Sequence, residues 1–279
     1  MSSPFRLIFF PWQTNPERDS DWYARTLATL GAAHTKQEYP ATPEEAFIAS
    51  GARFFDAAVL KALRDEYAAE PARTDFGGAL RVWQEPQAGH SYVIGADTAN
   101  GGGDACVAHI LDAGSGEQVA KYSSHVPTDA GVNDVRTEAH DFGLLLAELA
   151  THYNGALLGW EDNNMGVATG AAILRVAEYR HVYHRQAVDP LKGISEIPGW
   201  LTTTSSRGQM LGGLQSALKD VAVKPHDAAT YTQLGQFAYI NGKPQAPEGQ
   251  HDDEVMALAV AEMVRQQALL KPEPWGFFA

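Results

Sequence analysis

Between residues 91 and 124 the chain runs through three strand-like stretches, 91–96, 105–111 and 118–124. Two glycine-rich turns, Asn100-Gly101-Gly102-Gly103 and Ala113-Gly114-Ser115-Gly116, hold them apart. Short apolar runs with turn chemistry at hairpin spacing predict an antiparallel three-strand meander. The period then changes: Phe142, Leu145, Leu146 and Leu149 recur at helical spacing within 137–153,. After the Asn154-Gly155 turn, 156–160 reads as a fourth strand, 166–179 as a helix and 181–183 as a further strand,. Helices are expected at 205–219, 228–238 and 252–270. Strands followed by alternating helices and strands predict an α/β fold, a mixed sheet flanked by helices.

Upstream of this pattern the sequence is less regular. Thr42-Pro43-Glu44-Glu45 combines a capping threonine, a proline suited to the first helical position and a capping-box glutamate, so a short helix is predicted over 44–49, ending at Ser50-Gly51,. Residues 57–69 read as a polar helix and 70–78 as a loop,. The expected organisation is a linker-like segment at 1–80 with short helices, a main domain at 81–270 and a tail at 271–279.

Of the 279 residues, 44% are hydrophobic and 20% charged, which excludes a disordered or fibrous chain,. The single cysteine, Cys106, permits neither an internal disulfide nor a cysteine-based zinc cage, and reads as a small core residue,. The apolar run at 7–12 is broken by Pro11 and is far shorter than the roughly 20 residues of a membrane span,, so no membrane partner is expected. Twenty-one basic against 34 acidic side chains give a net charge of −13. Contact with a polyanion must therefore run through a local basic patch.

The acids carry the most information. Asp97 follows the first strand of the meander, Glu161 and Asp162 follow the fourth strand, and Asp252 and Asp253 open the last long helix. Strand ends in α/β sheets are where loops converge into sites. Carboxylates gathered there repel one another unless protons or divalent cations neutralise them. Mg²⁺ or Mn²⁺ suits an all-oxygen donor set, and two such ions can clamp the attacking and leaving oxygens of a phosphodiester.

Three phrases carry a family resemblance. They are Gly95-Ala96-Asp97-Thr98-Ala99 with Gly103-Asp104, Trp160-Glu161-Asp162-Asn163-Asn164-Met165-Gly166, and His251-Asp252-Asp253-Glu254-Val255-Met256-Ala257. Together they resemble the nuclease half of tailed-phage terminase large subunits. Upstream, Glu38-Tyr39-Pro40, Glu44-Glu45-Ala46-Phe47 and Ser50-Gly51 with Phe54-Phe55-Asp56 resemble that family's link between its ATPase and nuclease halves; Gly199-Trp200-Leu201-Thr202-Thr203 with Arg207 is also similar. The resemblance runs from about Trp12 to about Val264. It implies a ribonuclease-H-like fold, two-metal cleavage of concatemeric double-stranded DNA and a place in viral genome packaging within the host cytoplasm. By the same resemblance the partners are the terminase ATPase half, the small terminase and the portal. The motor half's phosphate loop is missing, since Gly242-Lys243 is followed by Pro244,. Packaging ATPase activity is therefore not expected of this chain, which is either a domain cut from a longer protein or a separately encoded nuclease half.

Asp97, Glu161 and one of Asp252 or Asp253 match the family's metal-binding acids, with Asp162 the weaker match. A solvated turn or a helix cap is the alternative use of each acid. Spacing does not choose between Asp252 and Asp253, because each has a partner four residues on, Met256 or Ala257,. Asp104 either approaches the site or ends a hairpin, and Asn163 and Asn164 either orient Glu161 or form a turn. His251 reads as a capping or surface histidine in preference to a proton shuttle. Arg180 and Arg185, with Lys192 and Arg207, are the candidate DNA phosphate contacts,. His181 and His184 have a spacing open to zinc but lack an obvious third ligand. Rival readings are an actin-like ATPase, another ribonuclease-H-like nuclease such as a junction resolvase, and a catalytically silent packaging assembly module.

Overall fold

A computed structural model describes residues 9–30, 35–36, 38–42, 53–99, 104–128, 131–189, 193–240, 242–247 and 249–270. In chain order its helices are α1 (Ser20–Leu30), α2 (Ala57–Tyr67), α3 (Ala139–His152), α4 (Gly166–Ala171), α5 (Thr204–Lys219), α6 (Ala228–Gln236) and α7 (Asp253–Leu270). The strands are β1 (Arg73–Asp75), β2 (Leu80–Val82), β3 (Tyr92–Asp97), β4 (Val107–Asp112), β5 (Gln118–Ser123), β6 (His125–Thr128), β7 (Gly131–Asp134) and β8 (Leu157–Trp160), then β9 (His184–Asp189), β10 (Gly193–Pro198), β11 (Ala238–Ile240) and β12 (Lys243–Gln245).

The chain forms two compact units, Ala57–Leu234 with His251–Ala279, and Met1–Asp56 with Gly235–Gln250. In the larger, six strands make a mixed sheet in the order β1-β2-β5-β4-β3-β8. All its pairings are antiparallel except β3 with β8. The meander expected from the glycine turns is β3-β4-β5, and the parallel fourth strand is β8. Alternation along β3 sorts its side chains between two faces. Tyr92, Ile94 and Ala96 join Leu158 and Trp160 of β8 and Phe142 and Leu146 of α3 in the main core. The opposite face carries Gly95 and Gly159, against which α7 lies: a Cβ on Gly95 would run into the backbone of Ala261, and one on Gly159 into the side chain of Val264. From Asp253 to Ala261 every side chain of α7 is buried. A helix buried all round belongs in the middle of a domain, and α7 does lie between the sheet and α5.

Several expectations shift. The boundary placed near Arg81 falls inside β2, and the loop expected at 70–78 contains β1, so the sheet begins before residue 81. Helix 166–179 is broken by a π turn at Ala172–Val176. The strand expected at 181–183 is a single parallel bridge between Val182 and Leu158, because Tyr183 O is taken by the N–H of Gly199 (2.9 Å). The chain pairs instead as the hairpin β9–β10. The helix expected at 44–49, the 100–103 turn and the tail at 271–279 lie outside the described residues.

Within the smaller unit, Trp12 stacks on Tyr23 (4.5 Å between ring centres), Trp22 meets Tyr39 edge-on (4.9 Å) and the Arg18 guanidinium lies over both Trp22 and Tyr39. Phe54 and Phe55 pack on Phe237 beside the β11–β12 hairpin.

Candidate metal centre

Parallel pairing of β3 with β8 brings the first two acids together. Ala96 is in register with Trp160, and the N–H of Glu161 donates to Ala96 O (2.9 Å), so Asp97 and Glu161 leave the ends of neighbouring strands side by side. Both follow a glycine of the α7 face by two residues, and both are half-buried on that face. Loss of water, followed by the charge of Glu161 and a hydrogen bond with it, pushes the Asp97 carboxyl well above the usual carboxylate range; Asp253 and Asp252 add to the effect.

The turn after Glu161 explains its own spelling. Asn163 donates from Nδ2 to Thr202 O (2.8 Å) and accepts from the Thr202 N–H (3.3 Å), tying this loop to the start of α5. Asn164 is left-handed, with φ of 47°, a conformation asparagine tolerates. Gly166 comes so close to Glu161 O that a Cβ would collide with it.

The third acid comes from the first turn of α7. Asp253, Ala257, Ala261 and Val264 fall on one stripe of the helix, and Ala257 packs on Ala105 and Val107. Asp253 is therefore buried against the sheet, where its Oδ2 accepts from the N–H of Ala105 (3.1 Å). Burial, helped by the charges of Asp104 and Asp252 and opposed by the Ala105 bond, pushes its pKa up to about 7. Asp252, the residue just before α7, is half-buried and ion-paired to Arg207 Nη2 (2.9 Å). The geometry thus separates the two aspartates that sequence spacing left equal.

The remaining candidates lie around this point or away from it. Asp162 is ion-paired to Arg185 Nη2 (3.0 Å), whose Nη1 also donates to Pro198 O and Gly199 O. Arg207 also reaches Met256 Sδ (3.1 Å). Arg180 donates to Leu174 O (2.6 Å) and stands apart from the acids' own contacts. Lys192 lies outside the described residues. His251 is exposed, with Nδ1 3.8 Å from Asp253 Oδ2 and its ring edge-on to His125 (5.4 Å). Asp104 is exposed, while His181 and His184 point Nδ1 at the carbonyls of Gly155 and Val182. Cys106 is buried, and burial pushes its thiol up to about 11.

Among the described residues no three His, Cys, Asp or Glu side chains stand ready as a metal cage. The oxygens of Asp253, Asp252 and Asp162 are turned to Ala105, Arg207 and Arg185. The donor set itself fits a hard divalent cation: Asp97, Glu161 and Asp253 are all-oxygen ligands, and protonation or a cation must relieve their mutual repulsion.

Sequence reasoning missed a second buried polar group beside the first. Lys121 of β5 is 1% exposed and reaches Glu254 Oε1 (2.6 Å) and Asp227 Oδ1 (2.9 Å). Arg81 Nη1 lies 2.6 Å from Asp227 Oδ2. Burial, the largest single influence, would raise Glu254 and Asp227, but the Lys121 charge and hydrogen bond, with Arg81 at Asp227 and His109 at Glu254, together outweigh it and hold both below the usual range. The only signals were a lysine and a histidine, Lys121 and His109, inside strand-like runs.

No protein-family model matches the chain, and no curated protein matches it. Solved structures do. The chain is similar to the large terminase nuclease of thermophilic phage G20c, with a TM-score of 0.54 and 22% identity over 74% of this chain and 97% of that one. The same nuclease with bound magnesium gives 0.55 and 21%, over 74% and 96%. The large terminase nuclease domain of Thermus phage P74-26 gives 0.52 and 22%, over 73% and 93%. The ribonuclease-H-like fold expected from the sequence is the fold this chain shares with them.

Proposed function

We propose that this chain is the nuclease domain of a phage DNA-packaging terminase large subunit, a divalent-metal-dependent endodeoxyribonuclease acting on concatemeric double-stranded DNA in the host cytoplasm. What carries this reading is the placement of three acids from distant sequence: Asp97 and Glu161 leave the ends of neighbouring strands, and Asp253 accepts from the Ala105 N–H just before β4, the strand paired with β3. The shared fold supports it, as does the magnesium in the G20c nuclease.

In this reading Asp97, Glu161 and Asp253 are the residues that would hold Mg²⁺ or Mn²⁺. Two ions supply a metal-activated water and charge stabilisation of the leaving 3′ oxygen. Asp252 and Asp162 lie beside the site, each neutralised by an arginine. Arg207 and Arg185 thereby stand next to the acids, placed to meet the phosphates of a bound strand, with Arg180 and Lys192 as further DNA contacts. The ATPase half, small terminase and portal are the partners this function requires.

The test is incubation with supercoiled plasmid and Mn²⁺ or Mg²⁺, with EDTA and Asp97→Ala as controls. Nicking and linearisation abolished by both controls is the expected result. Absence of cleavage together with absence of cation binding by calorimetry would replace this reading with a silent assembly module.

A further inference from the structure

The first turn of α7 is held from three other elements, β5, α6 and β4. Glu254, the residue after Asp253, accepts from Lys121 Nζ of β5 (2.6 Å) and from Thr230 Oγ1 of α6 (3.0 Å). Its backbone N–H, one of the donors a helix start leaves without an intrahelical partner, donates to Gln233 Oε1 (2.9 Å). Its carbonyl lies 3.2 Å from His109 Nε2 of β4. The orientation of that histidine is itself determined. Gln118 Oε1 accepts from the N–H groups of His226 and Asp227 (2.7 and 2.9 Å), so Gln118 Nε2 is the donor to His109 Nδ1 (2.7 Å). The imidazole proton is left on Nε2, facing Glu254. Asp227, at the start of α6, shares Lys121 with Glu254 and is clamped in turn by Arg81 of β2.

This is more than α7 needs for burial. An apolar cluster of the same volume would stabilise the domain at least as well, since the desolvation of buried ion pairs commonly cancels their attraction. What directional bonds add is a fixed position, and the residue they fix is covalently next to Asp253. We infer that Lys121, with Asp227, Arg81, His109, Gln118 and Thr230, is a positioning network: by fixing Glu254 it sets Asp253 at the height where it meets Asp97 and Glu161. The inference rests on the metal-binding reading of those three acids. Lys121 touches neither substrate nor ion, and acts only through Glu254.

Three variants of the full chain test it: Thr230→Val, Lys121→Met, and Lys121→Met combined with Glu254→Gln. The double variant leaves the buried charges balanced, with Arg81 on Asp227, and so separates the tether from the burial of an unpaired charge. Mn²⁺ affinity is read by calorimetry and the electron-spin spectrum of bound Mn²⁺, per folded molecule as fixed by urea denaturation. Wild type and Asp97→Ala are run alongside. The expected result is a double variant that folds yet binds Mn²⁺ about 10- to 100-fold more weakly, with Thr230→Val shifted in the same direction by less. Wild-type affinity in the folded double variant overturns the inference while leaving the proposed function standing. Should the double variant fail to fold, unchanged affinity in Thr230→Val overturns it equally. No Mn²⁺ binding by the wild type removes the proposed function, and the inference with it.

Discussion

Asp253 and Glu254 are consecutive, both buried, and placed in opposite electrostatic circumstances. Glu254 faces Lys121 and His109 and is held ionised; Asp253 faces other acids and is pushed up to about 7. One turn of helix thus separates a charge cluster whose neutralisation is built into the chain from one that awaits it. Loss of water penalises a carboxylate in either place, and the difference lies wholly in what the neighbouring strands offer. β5 offers Glu254 a lysine, whereas Asp253 has the carboxylates of Asp104 and Asp252 beside it. A fold that compensates one acid so fully beside another left in want of positive charge has the signature of a binding site.

The contrast is broken most completely by removing the centre of the acidic side. Asp97→Ala is expected to lose both Mn²⁺ binding and plasmid cleavage down to the level seen in EDTA, and retained cleavage would detach Asp97 from the chemistry. The compensated side breaks through Lys121. Lys121→Met leaves Asp227 with Arg81 but takes the lysine charge from buried Glu254, and should cost about 3–5 kcal/mol in urea denaturation. Adding Glu254→Gln should recover most of that loss, and a single variant as stable as wild type would show that the network is not closed.

Acidity separates the two sides in opposite directions. Asp253 takes up a proton on folding, so its share of stability is complete below the unfolded aspartate value of about 3.9 and is lost as pH rises towards about 7,. Asp227 and Glu254 have lowered folded values; their share is present above the unfolded carboxylate range and is lost as pH falls below it. Metal-free protein should therefore lose Tm between about pH 4 and 7. Mn²⁺ at a hundredfold excess over its Kd should add about 2.7 kcal/mol at neutral pH. Melting curves in EDTA and in Mn²⁺ that keep the same pH slope would deny that the acids bind the ion.

Much of this is legible in the sequence. The meander came from turn glycines, the strand β8 from its short apolar run, and the convergence of Asp97 and Glu161 from their places after strands. Asp252 and Asp253 were not separable, because a spacing of four holds for both and only the sheet beneath α7 decides which one is buried. The network of Lys121 and Glu254 was hidden because its bonded partners lie up to 146 residues apart, as Arg81 and Asp227 do. An isolated lysine in a strand reads as an exposed edge until its partners are known. The β9–β10 hairpin escaped because its second strand is mostly exposed, so no alternation marked it.

Between the two extremes stands Asp252, whose neutralising partner is only partly withdrawn from water: the side chains of Arg207 and Asp252 are 29% and 32% exposed. Pairs of that kind contribute about 0–1 kcal/mol, so Arg207→Ala should barely move the urea midpoint. Its effect should appear in DNA affinity instead. In binding DNA, Arg207 would exchange the Asp252 carboxylate for a backbone phosphate, and each phosphate contact adds about 0.9 to the slope of log K against log salt. Arg207→Ala should therefore lower the slope by about one and weaken binding alike across DNA sequences. An unchanged slope with reduced Mn²⁺ affinity would assign Arg207 to holding Asp252 in place, making the pair an extension of the compensated side and not part of the surface that meets DNA.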